Sequence, residues 1–262
     1  MEITGYAASV LIGLSLGLIG GGGSILTVPI LVYFFMIDPI IATTYSLFVV
    51  GLTSSAGATS HYRKGNVNLK IALIFGIPSL IAVFIMRKWV MPAMPHHLLN
   101  IGSFELTKSV LLMLVFAVLM LAASFSMIRK KKEVLISDSP LSYTKLVLQS
   151  IVVGIITGFV GVGGGFLIIP SLVLFAGLPM KKAVGTSLMV MTISSLLGVL
   201  GDVSRYAPIN YIFLMLFSAF AIVGIIAGSY LTKYITDTKL KPAFGWFVLL
   251  MGVFVLITTL TK

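Results

Sequence analysis

Apolar residues run along this chain in long blocks, and polar residues fall in the short gaps between them. Val110–Ile128, Tyr211–Leu231 and Phe244–Leu260 are nearly free of charge. Each is close to the ~20 residues a helix needs to cross a hydrocarbon core of about 30 Å. The blocks predict a Gly-broken apolar segment followed by three ordinary spans, and then the same again. The first set is Tyr6–Phe35, Ile40–Ser60, Leu69–Arg87 and Lys108–Ile128. The second is Thr144–Leu178, Ala183–Leu200, Asn210–Leu231 and Pro242–Leu260. Between them, Arg129–Ser142 is the only substantial polar linker and carries Arg129, Lys130, Lys131 and Lys132. Lys88–Thr107, with Trp89 and His96–His97, reads as an interfacial loop.

The two sets share one register. Ser9–Pro29 aligns without a gap on Ser150–Pro170, so that Gly13, Gly17, Gly20, Gly22, Gly23 and Pro29 meet Gly154, Gly158, Gly161, Gly163, Gly164 and Pro170. The offset persists: Ala42, Ser46, Leu47, Ser54 and Gly57 meet Ala183, Ser187, Leu188, Ser195 and Gly198. Matching Gly, Pro and Ser positions are more than apolar low complexity produces. The expected organisation is a first membrane repeat over 1–128, a basic cytoplasmic linker over 129–143 and a second membrane repeat over 144–262.

Composition agrees. Hydrophobic residues make up 58% of the 262 and charged residues 10%, against about 25% charged in a soluble domain. The lipid bilayer is therefore the first partner. The net charge of +11 does not point to nucleic acid, because the basic residues fall in short loops between spans, where membrane orientation explains them. With no cysteine, disulfides, thiol catalysis and thiolate metal sites are excluded. Met1-Glu2 opens without a basic n-region, so the start is expected to be mature protein and not a signal peptide.

The basic residues also choose a topology. A Gly-broken segment of about thirty residues is too long for one comfortable crossing. If it folds back at its glycines, the eighteen Lys and Arg residues split about thirteen to five across the membrane. Only Arg87, Lys88, Lys108, Arg205 and Lys262 then lie on the minority side. If it crosses once, the split falls to about ten to eight. Folding back places both termini outside the cytoplasm and relates the halves by inverted topology. The expected fold class is an all-α polytopic membrane protein of two inverted repeats, each a Gly-broken helical hairpin plus three transmembrane helices. Whether the hairpins are re-entrant or pairs of short spans is left open.

Candidate chemistry gathers at the breaks. Gly20, Gly21, Gly22 and Gly23 precede a helix expected to start near Ser24, and Gly161, Gly163, Gly164 and Gly165 precede one near Phe166. Fresh helix N-termini carry unpaired amides and a positive dipole end, and glycine lets a ligand approach the backbone. Two such ends from opposite leaflets suit a small anion near the midplane. Thr44, Tyr45 and Ser46, and Thr186 and Ser187, add hydroxyl donors, although such groups also bond their own helix carbonyls. The pairs Gly13/Gly17, Gly154/Gly158 and Gly224/Gly228 read as helix-packing positions. No Gly-Lys-Ser/Thr follows the glycines, so a nucleotide phosphate loop is not expected. His61, Asp202 and Asp38 sit near span ends, no carboxylate falls firmly inside a span, and neither a metal nor another cofactor is expected.

The run Gly158-Phe-Val-Gly-Val-Gly-Gly-Gly-Phe-Leu-Ile-Ile-Pro170, followed by Ala183-Val-Gly-Thr-Ser-Leu188, resembles the signature of the TauE/SafE family of sulfite and organosulfur anion exporters, within the 4-toluene sulfonate uptake permease superfamily. The resemblance covers the whole chain. The first half departs, with Gly21–Ser24 for the glycine run and Thr44-Tyr45-Ser46-Leu47 for Gly-Thr-Ser-Leu. The resemblance implies a transporter in the cytoplasmic membrane for sulfite, sulfonates such as sulfoacetate or taurine-derived products, or other small anions. Export is the leading expectation. Uptake or a channel-like pathway for the same anions stands beside it, and a membrane scaffold or assembly factor is the alternative of another class. An intramembrane hydrolase using Ser24 and His61 is set aside, because Gly165 and Asp202 occupy the matching places in the other half. The chain is compatible with a homo-oligomer.

Overall fold

The computed structural model describes residues 2–101, 104–128, 143–202, 210–231 and 237–261. The basic linker and Arg205 lie outside the described residues. Helix α1 (Glu2–Ile19) runs into a tight 3-10 turn, Gly21–Leu26, and α2 (Thr27–Tyr33) follows. Helix α3 (Pro39–Arg63) begins on Asp38, whose carboxylate accepts from the Ile40 amide at 2.8 Å, with Pro39 in the first turn. Helix α4 (Leu69–Ile85) begins on Asn68 in the same manner and is prolonged by a wide π-helical turn, Met86–Val90, and by Met91–Ala93. A hairpin of β1 (His97–Ile101) and β2 (Phe104–Thr107) leads into α5 (Lys108–Ile128). The second half holds α6 (Tyr143–Val160), α7 (Gly165–Ala176), α8 (Met180–Asp202), α9 (Tyr211–Leu231) and α10 (Asp237–Leu260).

Six of these helices, α3, α4, α5, α6, α8 and α9, are long and apolar enough to cross a membrane. Two expectations change in detail. Lys88–Thr107 is no simple loop: α4 continues to Ala93 because Met91 is drawn into the core, and two short strands pair beyond it. The helix after the first break starts at Thr27 and not near Ser24, because Gly21–Leu26 winds more tightly as a 3-10 turn.

Both glycine segments fold back. Gly5, near the start of α1, lies against the Phe35 ring just after α2, and the Tyr6 and Phe35 rings stand 6.1 Å apart. In the second half, Gln149 on α6 donates from Nε2 to Ser171 Oγ on α7 at 3.3 Å. Helix α7 has 12 residues, about 18 Å of rise, which falls short of a full crossing.

Helix α1 packs along α9, and α6 packs along α4. Helices α3 and α8 cross each other at the centre, α9 also contacts α3, α4 also contacts α8, and α5 pairs with α10. The central position of α3 and α8 shows in their burial: 72% and 61% of their apolar stretches are enclosed, against 33–39% for the other four long helices. Outward-facing Ile212, Val223, Ile226, Leu250 and Ile257 are exposed apolar residues of the kind a lipid-facing surface needs.

Small residues set the closeness of these crossings. A Cβ at Gly13 or Gly17 would run into the α9 backbone at Ala221 or Ile225, and one at Gly224 or Gly228 into the α1 carbonyls of Val10 or Leu14. The Gly224→Val variant should therefore destabilise the protein by about 1–3 kcal/mol or more through overpacking. Gly76→Ala meets nothing nearer than Val190 Cγ2 at 3.6 Å and should be neutral or stabilising by up to ~1 kcal/mol from helix propensity. Thermal unfolding in detergent reads both, and equal melting temperatures would contradict the crossing.

Candidate functional site

The two glycine breaks meet. Gly21 and Gly165 are in backbone contact, each filling the space in which the other would carry a Cβ. Gly20 (φ 75°) sits under Ile169 of α7 and Val184 of α8. Gly23 lies against the α1 backbone at Ile12 and Leu16, and Gly22 belongs to the same turn. In the second half Gly161, Gly163 and Gly164 all hold positive φ, at 75°, 69° and 72°. A side chain there would be strained as well as crowded.

The surroundings of the two breaks differ. Gly164 rests on Thr157 Oγ1, and a Cβ at Gly163 would lie 3.1 Å from Ser195 Oγ and 2.5 Å from Val50. Both hydroxyls are buried and have no hydrogen-bond partner among the described residues. Near the first break Ser24 donates to the Gly21 carbonyl at 2.7 Å and Ser15 to the Ile12 carbonyl at 2.8 Å, whereas Thr27 Oγ1, at the head of α2, is buried and has no partner among the described residues. Each break thus keeps free hydroxyls beside it, and at the second α7 also presents its N-terminus from a left-handed Gly164 cap.

The predicted hydroxyl residues divide. Ser46 is fully buried with an unpartnered Oγ, as are Ser54 and its repeat counterpart Ser195. Ser187 donates to the Val184 carbonyl of its own helix at 2.8 Å, the ordinary role for a helix serine. Thr186 Oγ1 accepts from the Asn68 amide at the start of α4, and Tyr45 Oη accepts from the Asn210 amide before α9, both at 3.0 Å. Thr44 donates to Asp202 Oδ2 at 2.7 Å. Thr186 and Thr44 therefore stand at opposite ends of α4, on either side of the glycine contact.

Asp202 overturns one expectation. It closes α8 as a span end should, but it is buried, the one buried carboxylate among the described residues. Arg87 Nη1 donates to its Oδ2 at 2.9 Å and also to Thr43 Oγ1 at 2.9 Å. The two side chains are 0% and 1% exposed. Arg87 ends its expected span, and the π turn of α4 swings it inward, where Gly201 gives its Cβ room against α8. Lys108, at the head of α5, is also buried and donates to the Met91 carbonyl. His61 is largely enclosed by the Gly185 turn of α8, with Nδ1 unpartnered.

Removing one member of a buried pair strands the other. Arg87→Ala should destabilise the protein by about 3–5 kcal/mol, and Thr44→Val by about 1–3 kcal/mol. Unfolding in detergent should rank them in that order. A wild-type melting temperature for Arg87→Ala would mean that the pair is absent in the membrane protein.

Comparison with known proteins now joins this geometry. The family model described as "Sulfite exporter TauE/SafE" matches residues 6–255. A "Probable membrane transporter protein" of Xylella fastidiosa (strain Temecula1) is 29% identical over 253 residues, covering 94% of this chain and 91% of the relative. "Probable membrane transporter protein YdhB" of Bacillus subtilis is 29% identical, with 89% and 91% covered. "Probable membrane transporter protein YunE" of the same organism is 30% identical, with 74% and 76% covered. No solved structure matches. The chain is thus a multi-pass membrane transporter and not an enzyme.

Proposed function

The chain belongs to the TauE/SafE sulfite exporter family, and on that premise we propose that it exports sulfite or a small organosulfonate, such as sulfoacetate or a taurine-derived product, from the cytoplasm. The anion binds near the bilayer midplane, where the two glycine breaks meet. The observation that carries this reading is the second-half turn itself. Gly163 and Gly164 hold positive φ at the head of α7, flanked by the buried, unpartnered hydroxyls of Thr157 and Ser195. Neutral donors and a helix N-terminus favour an anion.

Two repeats of inverted topology, 1–128 and 144–262, supply the frame. Their packing supports this, because exchanging the halves maps α1 on α9 to α6 on α4, and α9 on α3 to α4 on α8, while α3–α8 and α5–α10 map to themselves. The positive-inside rule then places the linker 129–143 in the cytoplasm, both termini outside it, and the Arg87–Asp202 end of α4 and α8 outside. An anion leaving a negative-inside cell gains about 2.3 kcal/mol per charge per 100 mV, so export runs on the potential without a coupling ion.

Anions that bind the native state raise its melting temperature. Sulfite, thiosulfate or methanesulfonate should stabilise the purified protein at an ionic strength matched with chloride. Gly163→Val should abolish that response while still inserting in the membrane. A flat response across a broad set of sulfur anions would remove the substrate assignment.

A further inference from the structure

The buried cluster at the outer ends of α4 and α8 is incompletely paired. Arg87 uses only Nη1, which is shared between Asp202 and Thr43. Its Nε and Nη2 have no partner among the described residues, although the side chain is 0% exposed. These two nitrogens share one edge of the guanidinium plane, the edge that takes two oxygens of an oxyanion side by side. That edge is not aimed at solvent. Nη2 lies 2.5 Å from where a Cβ on Gly161 would stand, so it abuts the turn that ends α6 and opens the second glycine break.

Lys108, buried at the head of α5, donates to the Met91 carbonyl of the prolonged α4. Asp202 is the one buried carboxylate among the described residues, and Arg87 is its ion-pair partner there. A buried ion pair is seldom better for stability than apolar packing, so pairing alone does not account for the two free nitrogens of Arg87. The same place in the other half carries no such group, because the repeat counterparts of Arg87 and Asp202 are Gly228 and His61.

We propose that Arg87 is a substrate-binding residue: its Nε–Nη2 edge takes two oxygens of the transported oxyanion on the Asp202 side of the glycine turns, and Asp202 holds the guanidinium between anions. This deepens the anion-transport reading and rests on it. Entry of the anion fills the free Nε–Nη2 edge of the guanidinium. Asp202, already bound through Nη1, then competes with the anion and promotes its release. The ligand class is a compact oxyanion with at least two oxygens on one centre, and chloride cannot span the edge.

The test uses the full chain in detergent, with sulfite and methanesulfonate as probes and chloride as the control, read by calorimetric titration and by thermal shift. Arg87→Lys keeps a cation for Asp202 but loses the fork. It should retain the wild-type melting temperature while its affinity for both probes falls about tenfold or more. Asp202→Asn removes the competitor and should bind the probes more tightly. The neutral pair Arg87→Gln/Asp202→Asn should fold and show no probe-dependent shift. Wild-type affinity in Arg87→Lys and in the double variant would overturn the inference while leaving the transport reading intact. Weaker binding in Asp202→Asn, or an equal response to chloride, would also overturn it. A wild-type protein that binds neither probe would remove both proposals together.

Discussion

The structure depends on one contact, the meeting of two broken backbones at Gly21 and Gly165. Irregular backbone survives at membrane depth only where protein encloses it. Each glycine hairpin therefore needs the other as a wall, together with the crossed helices α3 and α8. Glycine is required on both sides because any Cβ would separate the turns. The glycines of the α1–α9 and α6–α4 crossings act one layer out, bringing the long helices near enough to seal the hairpins from lipid.

Around that contact the polar groups are unevenly shared. Thr157 and Ser195 stay unpartnered beside the second break and Thr27 beside the first. The charged cluster of Arg87, Asp202 and Lys108 flanks the second break only. Thr186, Asn68 and His61 occupy the opposite end of α4 and α8 without an ion pair between them.

Much of this was legible in the sequence. Apolar block length gave the spans, and the count of basic residues on each side favoured folding back, which the Gly5–Phe35 contact bears out. Glycine spacing marked both the breaks and the packing faces. The resemblance of Gly158–Pro170 pointed to the family that the match over 6–255 establishes. The charged cluster was not legible, because burial of a span-end residue depends on tertiary crossing. Arg87 and Asp202 lie 115 positions apart, and nothing local marks the π turn that brings them together. The roles of hydroxyls were equally hidden: Ser46 and Ser187 occupy matching positions, yet one is free and the other bonds its own helix.

The most direct measurement is efflux from proteoliposomes loaded with sulfite, with a potassium gradient and valinomycin setting an inside-negative potential. The account predicts sulfite efflux that requires the protein and accelerates as the interior is made more negative, because the anion moves down the electrical gradient. Efflux no faster than from protein-free vesicles, for sulfite and for organosulfonates alike, would contradict it.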